Sequence, residues 1–243
     1  MNNSADSAFE TSITDEEIGE PEDIFEVKYV SPRHARNRVL SFLRHRTSIP
    51  KSFAEAKVKT IYFDDKHSTS YLDSLDGFLS KQKYRLREYI DSVGGARYSL
   101  EVKLRNDMRT SKVRKLVFKP LPETYKFSTF RDLLDTFERE NGFSLSRIRH
   151  SLPRGDLYVD TTIYYERFRF DDPFEDVRYN LDTNIMLVPS LRSERALKDG
   201  VYLDHDIFEI KGALLTGLPS YLEGLGIEPA SFSKFVWGKE LFI

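Results

Sequence analysis

The sequence predicts an α+β fold built on an eight-stranded antiparallel β-barrel with flanking helices. Three observations carry that expectation. About eight segments alternate apolar and polar residues with the period of a strand. Few helices lie between them, and such a succession favours antiparallel pairing, which eight strands can close into a barrel. At least six of the segments also pair a clean apolar face with a face of Arg or Lys and a sparse carboxylate.

In chain order, residues 1–23 come first. They hold eight acids and no Lys or Arg, and are rich in Ser and Asn, so a disordered acidic tail is expected there. The folded domain should run over 24–243, opening with the strand IFEVKYV at 24–30. Ser31-Pro32 reads as an N-cap with proline in the first helical turn. The helix it opens carries Ala35, Val39, Leu40 and Leu43 at helical spacing and ends near Arg46. Strand-like runs follow at 58–64, 81–90, 97–105 and 113–119, with Gly94-Gly95 as a hairpin signal between the second and third. Residues 128–142 form an amphipathic helix with Leu133, Leu134 and Phe137 as its stripe and Gly142 at its end. Strands are then expected near 145–150, 157–170 and 176–187, a polar loop around 190–200, and a strand at 206–211. A short helix at 218–226 precedes the closing stretch SFSKFVWG at 231–238.

Composition limits the possible functions. At 243 residues, 40 % hydrophobic and 13 % aromatic, the chain can bury a sizeable core. It has no cysteine, which excludes disulfides and thiolate metal sites. No apolar run approaches the roughly 18 residues of a membrane span, and the first residues lack the basic-then-apolar order of a signal peptide. A cytoplasmic protein is expected, with a membrane partner left open. The net charge of −2 hides an asymmetry: beyond the acidic tail stand 31 acids against 37 bases, a body of about +6.

The charged faces are the informative feature. Glu26 and Lys28 share one, and Lys83, Arg85 and Arg87 share another, with Tyr84 and Leu86 opposite. Glu101 sits with Lys103 and Arg105, Arg167 with Arg169, Arg178 with Asp182, and Glu209 with Lys211. On a single strand this is an ordinary solvated face. Repeated over six strands, it fits a barrel whose charged faces line a central channel and whose apolar faces are covered by helices. Burying so many cations costs several kcal/mol each unless an anion offsets them. A phosphate chain, with roughly one charge per unit, suits the planar fork of Arg and the mobile charge of Lys. The sparse glutamates are hard oxygen ligands suited to Mg²⁺ or Mn²⁺.

Other constellations point nowhere. His34, His45, His67, His150 and His205 show no metal-ligand spacing. There is no Gly-rich phosphate loop, Ser-His-Asp order or dinucleotide fingerprint. Asp64 and Asp65 read as a strand-end turn, and Trp237 as core. A body excess of only about +6 beside an acidic tail argues against nucleic acid as a partner.

With those residues in hand, the chain resembles the VTC domain, the polyphosphate-polymerase branch of the triphosphate tunnel metalloenzymes. The shared motifs are E-x-K-Y at Glu26–Tyr29, T-I-Y-F-D at 60–64 with Tyr71 after it, and K-Y-R-L-R at 83–87. They continue with E-V-K at 101–103, Y-Y-E-R at 164–167, V-R-Y-N-L-D-T at 177–183, F-E-I-K at 208–211 and S-K-F at 233–235. The resemblance implies a tunnel that binds ATP and polyphosphate or tripolyphosphate with a divalent metal, Mn²⁺ or Mg²⁺. It implies that Arg85, Arg87, Lys103, Arg167 and Arg178 grip the reacting phosphates. Lys28, Lys83, Arg169, Lys211, Ser233 and Lys234 would bind phosphate along the tunnel and at one end. Glu209 would be the main metal ligand, with Glu26 and Glu101 nearby. Arg105, Arg147 and Arg149 are wall or surface residues. Hydrolytic members of that superfamily begin E-x-E-x-K, and here Ile24 stands at the first glutamate, which favours polymerase over triphosphatase. Ser231 stands where related domains can carry another lysine. A triphosphatase and a non-catalytic polyphosphate-binding module remain the alternatives.

Overall fold

The charge alternation becomes two faces of a single antiparallel sheet. The computed structural model of the protein describes residues 25–241 except 50–53, 93–94, 107–108, 118–127, 173, 175, 190–199, 213–216 and 232. The acidic segment 1–23, the polar loop around 190–200 and Gly94 of the expected hairpin thus lie outside the described residues.

Eight long strands carry the sheet: β1 (Phe25–Pro32), β2 (Glu55–Asp64), β3 (Ser80–Asp91), β4 (Ala96–Asn106), β5 (Arg109–Val117), β6 (Tyr158–Asp172), β7 (Val177–Pro189) and β9 (His205–Gly212). Two short ones, β8 (Val201–Tyr202) and β10 (Glu228–Pro229), bring the described total to ten. The order is β10-β1-β9-β7-β6-β2-β3-β4-β5, with β8 on β7. The expected eight-stranded closed barrel is therefore corrected. Among the described residues no ladder joins β5 to β1, because β1 spends its second edge on β10, through Tyr29 opposite Pro229. The sheet nevertheless curls: Lys103 of β4 reaches Glu26 of β1 across the gap, at 3.6 Å.

The outer face is apolar. On β2–β5 it buries Phe63, Leu86, Leu100 and Val102 against α3 (Phe130–Asn141). That helix begins in a capping box between Thr129 and Asp132 and ends at Gly142, whose φ of 72° is the left-handed C-cap. On β1, β9, β7 and β6 the outer face buries Tyr29, Phe208, Tyr179 and Leu181 against Val39, Leu40 and Leu43 of α1 (Arg36–Arg46). Both layers have the inverted order expected: helices outside on apolar faces, charges within.

Four local expectations change. Residues 145–150 are a helix, α4 (Ser146–His150), because Leu145 and Ile148 stand three apart and sink together into the α3 layer. Glu138 of α3 fixes it, accepting from Leu145 N at 2.7 Å and pairing with Arg149 at 2.6 Å. Ser31 and Pro32 extend β1 opposite Asp206 and His205, so a 3-10 turn at Arg33–Ala35 intervenes and Ser31 is no helix cap. The expected helix at 218–226 shrinks to a 3-10 turn at Ser220–Leu222, since Gly224 and Gly226 follow at φ 75° and 71°. A helix not expected, α2 (Thr69–Leu75), starts beneath Asp64 and Asp65. Their carboxylates accept from the backbone N–H of Ser70, Tyr71, His67 and Thr69 at 2.9–3.0 Å.

The closing stretch forms α5 (Lys234–Glu240), which seals one end of the inner face with Phe235 and Val236 against Ile163, Ile185, Leu187 and Ile207. A Cβ on Gly238 would lie 2.6 Å from Thr161 Cγ2, so glycine alone allows this approach to β6. No helix among the described residues is long and apolar enough to cross a membrane.

Candidate active site

Strand parity gathers the charged side chains on one face. Residues two apart on a strand share a face, so Lys83, Arg85 and Arg87 of β3 point inward with Glu101 and Lys103 of β4, their partners in register. Arg167 of β6 pairs across to Asp182 of β7, and Asn180 of β7 stands opposite Glu209 of β9. Glu26 and Lys28 of β1 stand opposite Lys211 and Glu209. Arg85, Glu101, Arg167, Asn180, Asp182 and Glu209 are all buried.

Three charge clusters divide this face. In the first, three lysines surround Glu26: Lys28 at 2.9 Å, Lys211 at 3.1 Å and Lys103 at 3.6 Å. Lys211 also meets Glu209 at 3.3 Å. Burial alone would raise the Glu26 carboxyl, but Lys211, Lys28 and Lys103 hold it well below the usual carboxylate range. Burial and Glu26 both push Glu209 upward; Lys211, Arg167 and Lys28 outweigh them and keep it low. In the second, Arg85 donates to Glu101 through Nε at 2.7 Å and also through its terminal nitrogen, while Ser99 Oγ donates to the other carboxylate oxygen at 2.9 Å. In the third, Asp182 takes Arg167 through two bonds, at 2.6 and 2.7 Å, and Lys234 of α5 at 2.6 Å.

The lysines feel this crowding. Burial, with Lys28, Lys81 and Arg85 nearby, brings Lys83 down to about 8. Lys211 and burial bring Lys112 of β5 down to about 8 as well. Tyr62 of β2, whose hydroxyl lies 3.4 Å from Arg85, would be raised by burial, yet Arg85, Arg87 and Lys83 lower it to about 8. Deprotonation at these positions relieves the excess positive charge of the face.

Of the sequence-predicted residues, Lys28, Lys83, Arg85, Arg87, Lys103, Arg167, Lys211, Glu26, Glu101 and Glu209 share the inner face. Ser233 and Lys234 reach it from the start of α5, Ser233 Oγ accepting from Lys83 at 2.9 Å. Arg169 lies further along β6, with its guanidinium 4.9 Å from the Tyr89 ring centroid. Arg178 is different. It has the right parity but stands at the rim, 58 % exposed and bound to Asp171 at 2.7 Å. Its distance from the enclosed clusters follows from its place at the start of β7, where the sheet ends. Glu101 is taken up by Arg85 and does not join the Glu26–Glu209 pair.

Lys112 and Tyr62 join this face without having been expected there, and Asp182, expected on a charged face but given no role, takes up Arg167 and Lys234. Lys112 was legible, since it continues the parity of Arg114 on β5. Trp237, expected in the core, is 38 % exposed at the lip of a cavity of about 700 Å³ that Lys28, Lys81, Lys83, Lys103 and Arg105 also line.

The donor set near Glu209 fits a hard divalent cation. Two carboxylates face one another, and the buried Oδ1 of Asn180 has no hydrogen-bond partner while its Nδ2 donates to Glu209 at 3.2 Å. Among the described residues no group of three or more acidic, cysteine or histidine side chains converges, at this site or at any other; Glu26, Glu209 and Asn180 are the residues that would hold such an ion.

The structure is similar to that of a protein of Bacillus halodurans described as an adenylate cyclase, at 13 % identity and a TM-score of 0.43, over 89 % of this chain and 85 % of the other. It is also similar to a Hippeastrum protein described as an adenylyl cyclase with a dominant triphosphatase activity, at 13 % identity and a TM-score of 0.45, over 90 % and 97 % of the two chains. Neither likeness is close enough to bear on the chemistry. No curated protein matches the sequence. The family model of the VTC domain matches residues 23–243, and the chain belongs to the VTC domain family.

Proposed function

We propose that the inner face is the active site of a metal-dependent enzyme that transfers the γ-phosphate of ATP to a growing polyphosphate chain. One observation carries this reading: cations from separate strands share an enclosed face on which they outnumber Glu26, Glu101, Asp182 and Glu209. An arrangement of this kind is costly unless a dense anion neutralises it, and a row of phosphates does so along the length of the face.

Phosphoryl transfer asks little covalent chemistry of a protein; positioning and charge stabilisation supply most of the rate. Arg85, Arg87 and Arg167 present planar forks to the equatorial oxygens. Lys28, Lys103 and Lys211 supply mobile charge beside them, and Lys83 and Lys234 hold the chain next to α5. Glu26, Glu209 and Asn180 would hold a divalent cation, which would supply further positive charge beside the phosphates. The terminal oxygen of the chain attacks the γ-phosphorus, the bond from that phosphorus to the β-bridging oxygen breaks, and ADP leaves. No serine or histidine nucleophile is required. Ile24, in place of the first glutamate of the hydrolytic pattern, favours the chain as acceptor over water.

The test is incubation of the full chain with ATP and Mn²⁺, followed by gel separation. A ladder of long phosphate supports the polymerase. Phosphate released from tripolyphosphate without elongation assigns a triphosphatase instead. Tight binding with neither product assigns a passive polyphosphate-binding module.

A further inference from the structure

One strongly charged surface has no part in the inner face. Residues 33–46 contain five arginines and two histidines and no Asp or Glu. The helix dipole accounts for the cations of the last turn, Arg44, His45 and Arg46, which face its negative end. It does not account for Arg36 and Arg38 in the first turn, where the dipole opposes positive charge and no acid is present. Arg36 has a structural use, clamping buried Asp206 through Nε at 2.7 Å and a terminal nitrogen at 2.6 Å. Arg38 is exposed, and with Ser41, Phe42 and His45 it lines an open groove of about 510 Å³ along the outward face of α1.

This face is continuous with one end of the inner face. Two residues beyond Arg169, Asp171 binds Arg178 at the rim. The Asp171 backbone exchanges hydrogen bonds with Ser48, at 2.9 and 3.0 Å. Ser48 follows the last residue of α1, Arg46, by two positions. The Arg178–Asp171 pair is therefore joined, through Ser48, to the C-terminal turn of α1, which carries Arg44, His45 and Arg46 and adjoins the groove that holds Arg38. At this end of the sheet the exposure of the inward-parity cations rises, from 7 % for the side chain of Arg167 to 58 % for that of Arg178.

We propose that the outward face of α1 is a second binding surface for a linear phosphate polymer, holding the part of the chain that extends past Arg169 and Arg178. The proposal rests on the tunnel reading above and adds an outer site to it. A short ligand fills the inner face alone. A long one engages both surfaces, and the second contact becomes intramolecular, which raises retention without new contacts inside.

The experiment compares inorganic tripolyphosphate with long-chain polyphosphate by competition binding at fixed ionic strength. The proteins are the full chain and its Arg38→Gln/Arg44→Gln/Arg46→Gln variant, with Arg38→Glu as a second variant. All three side chains are exposed, and the Arg44–Glu55 pair at 3.1 Å is a surface pair of small worth. The expected result is long-chain binding on the order of tenfold tighter than tripolyphosphate in the unaltered chain. Both variants lose most of that excess while keeping the same melting temperature and the same tripolyphosphate affinity. No excess in the unaltered chain, or an excess that survives both variants, overturns the outer site alone. Single-stranded DNA competing as well as polyphosphate overturns it too, since the patch would then be unselective. Failure of tripolyphosphate to bind overturns the tunnel reading and this inference with it.

Discussion

Glu26 and Lys103 stand near opposite ends of the strand order, on β1 and β4, yet Lys103 Nζ lies 3.6 Å from Glu26 Oε2. Where the backbone ladder is open, side chains bring the two margins of the sheet together. Lys28 and Lys211 hold the same carboxylate, so one anion organises three cations at the seam.

Glu26→Gln should therefore act in two directions. Losing the shared counter-charge leaves three lysines repelling one another and should lower stability by about 1–3 kcal/mol. Without added metal, the same change should tighten tripolyphosphate binding, because the face becomes more positive. Chemical denaturation and calorimetric titration check the two effects, and weaker binding would contradict the assigned sign.

Glu209→Gln removes a carboxylate beside the unpartnered Asn180 Oδ1. Turnover with ATP and Mn²⁺ should fall by about 100-fold or more, the scale of losing one preorganised electrostatic group, while tripolyphosphate binding stays measurable. Unchanged turnover would show that Glu209 does not hold the essential metal.

Asp182 is 1 % exposed and neutralises both Arg167 and Lys234. Asp182→Asn should cost about 3–5 kcal/mol, as breaking one side of a buried ion pair does. Saturating tripolyphosphate should restore part of the loss, since a ligand that binds only the folded form stabilises it. Urea titrations with and without the ligand measure both quantities.

Phosphate binding should depend on pH in a definite direction. Lys83 and Lys112 lose their charge near pH 8, and Tyr62 gains a negative one near the same value. As pH rises from 7 to 9 the inner face becomes less positive, so tripolyphosphate affinity should fall and binding should take up protons. Calorimetry in buffers of different ionisation enthalpy reads the uptake, and an affinity that is flat across this range would refute these charge states.

Phe137 of α3 is fully buried against the outer face of the sheet. Phe137→Ala should cost about 3–5 kcal/mol, the range for a large buried aromatic, with little change in phosphate affinity if the protein remains folded. The opposite pattern, normal stability and lost binding, would contradict the assignment of apolar residues outside and charges within.

Much of this arrangement was legible in single strands. The alternation of KYRLREY marked the two sides of β3, and six strands repeating that grammar raised an inward charged face as a possibility from sequence alone. The stripe Leu133, Leu134 and Phe137 likewise marked α3. Short segments were harder, because Leu145 and Ile148 fit a strand or a helix until the α3 layer claims both. Gly224 and Gly226 ended the 218–226 helix through backbone angles that its apolar pattern does not encode.

Which side of each strand carries charge is a local property, written in residues two apart. How deeply a charge is enclosed and which group neutralises it are not local. Arg178 and Arg167 have the same inward parity, but one stands at a solvent-facing rim and the other is clamped on Asp182. Lys234 lies 52 positions from the Asp182 it reaches, and Glu26 lies 77 from Lys103. Those distances close only when the sheet curls and α5 seals its end. Coulombic energy depends on separation in space and on the surrounding dielectric, and the folded chain sets both.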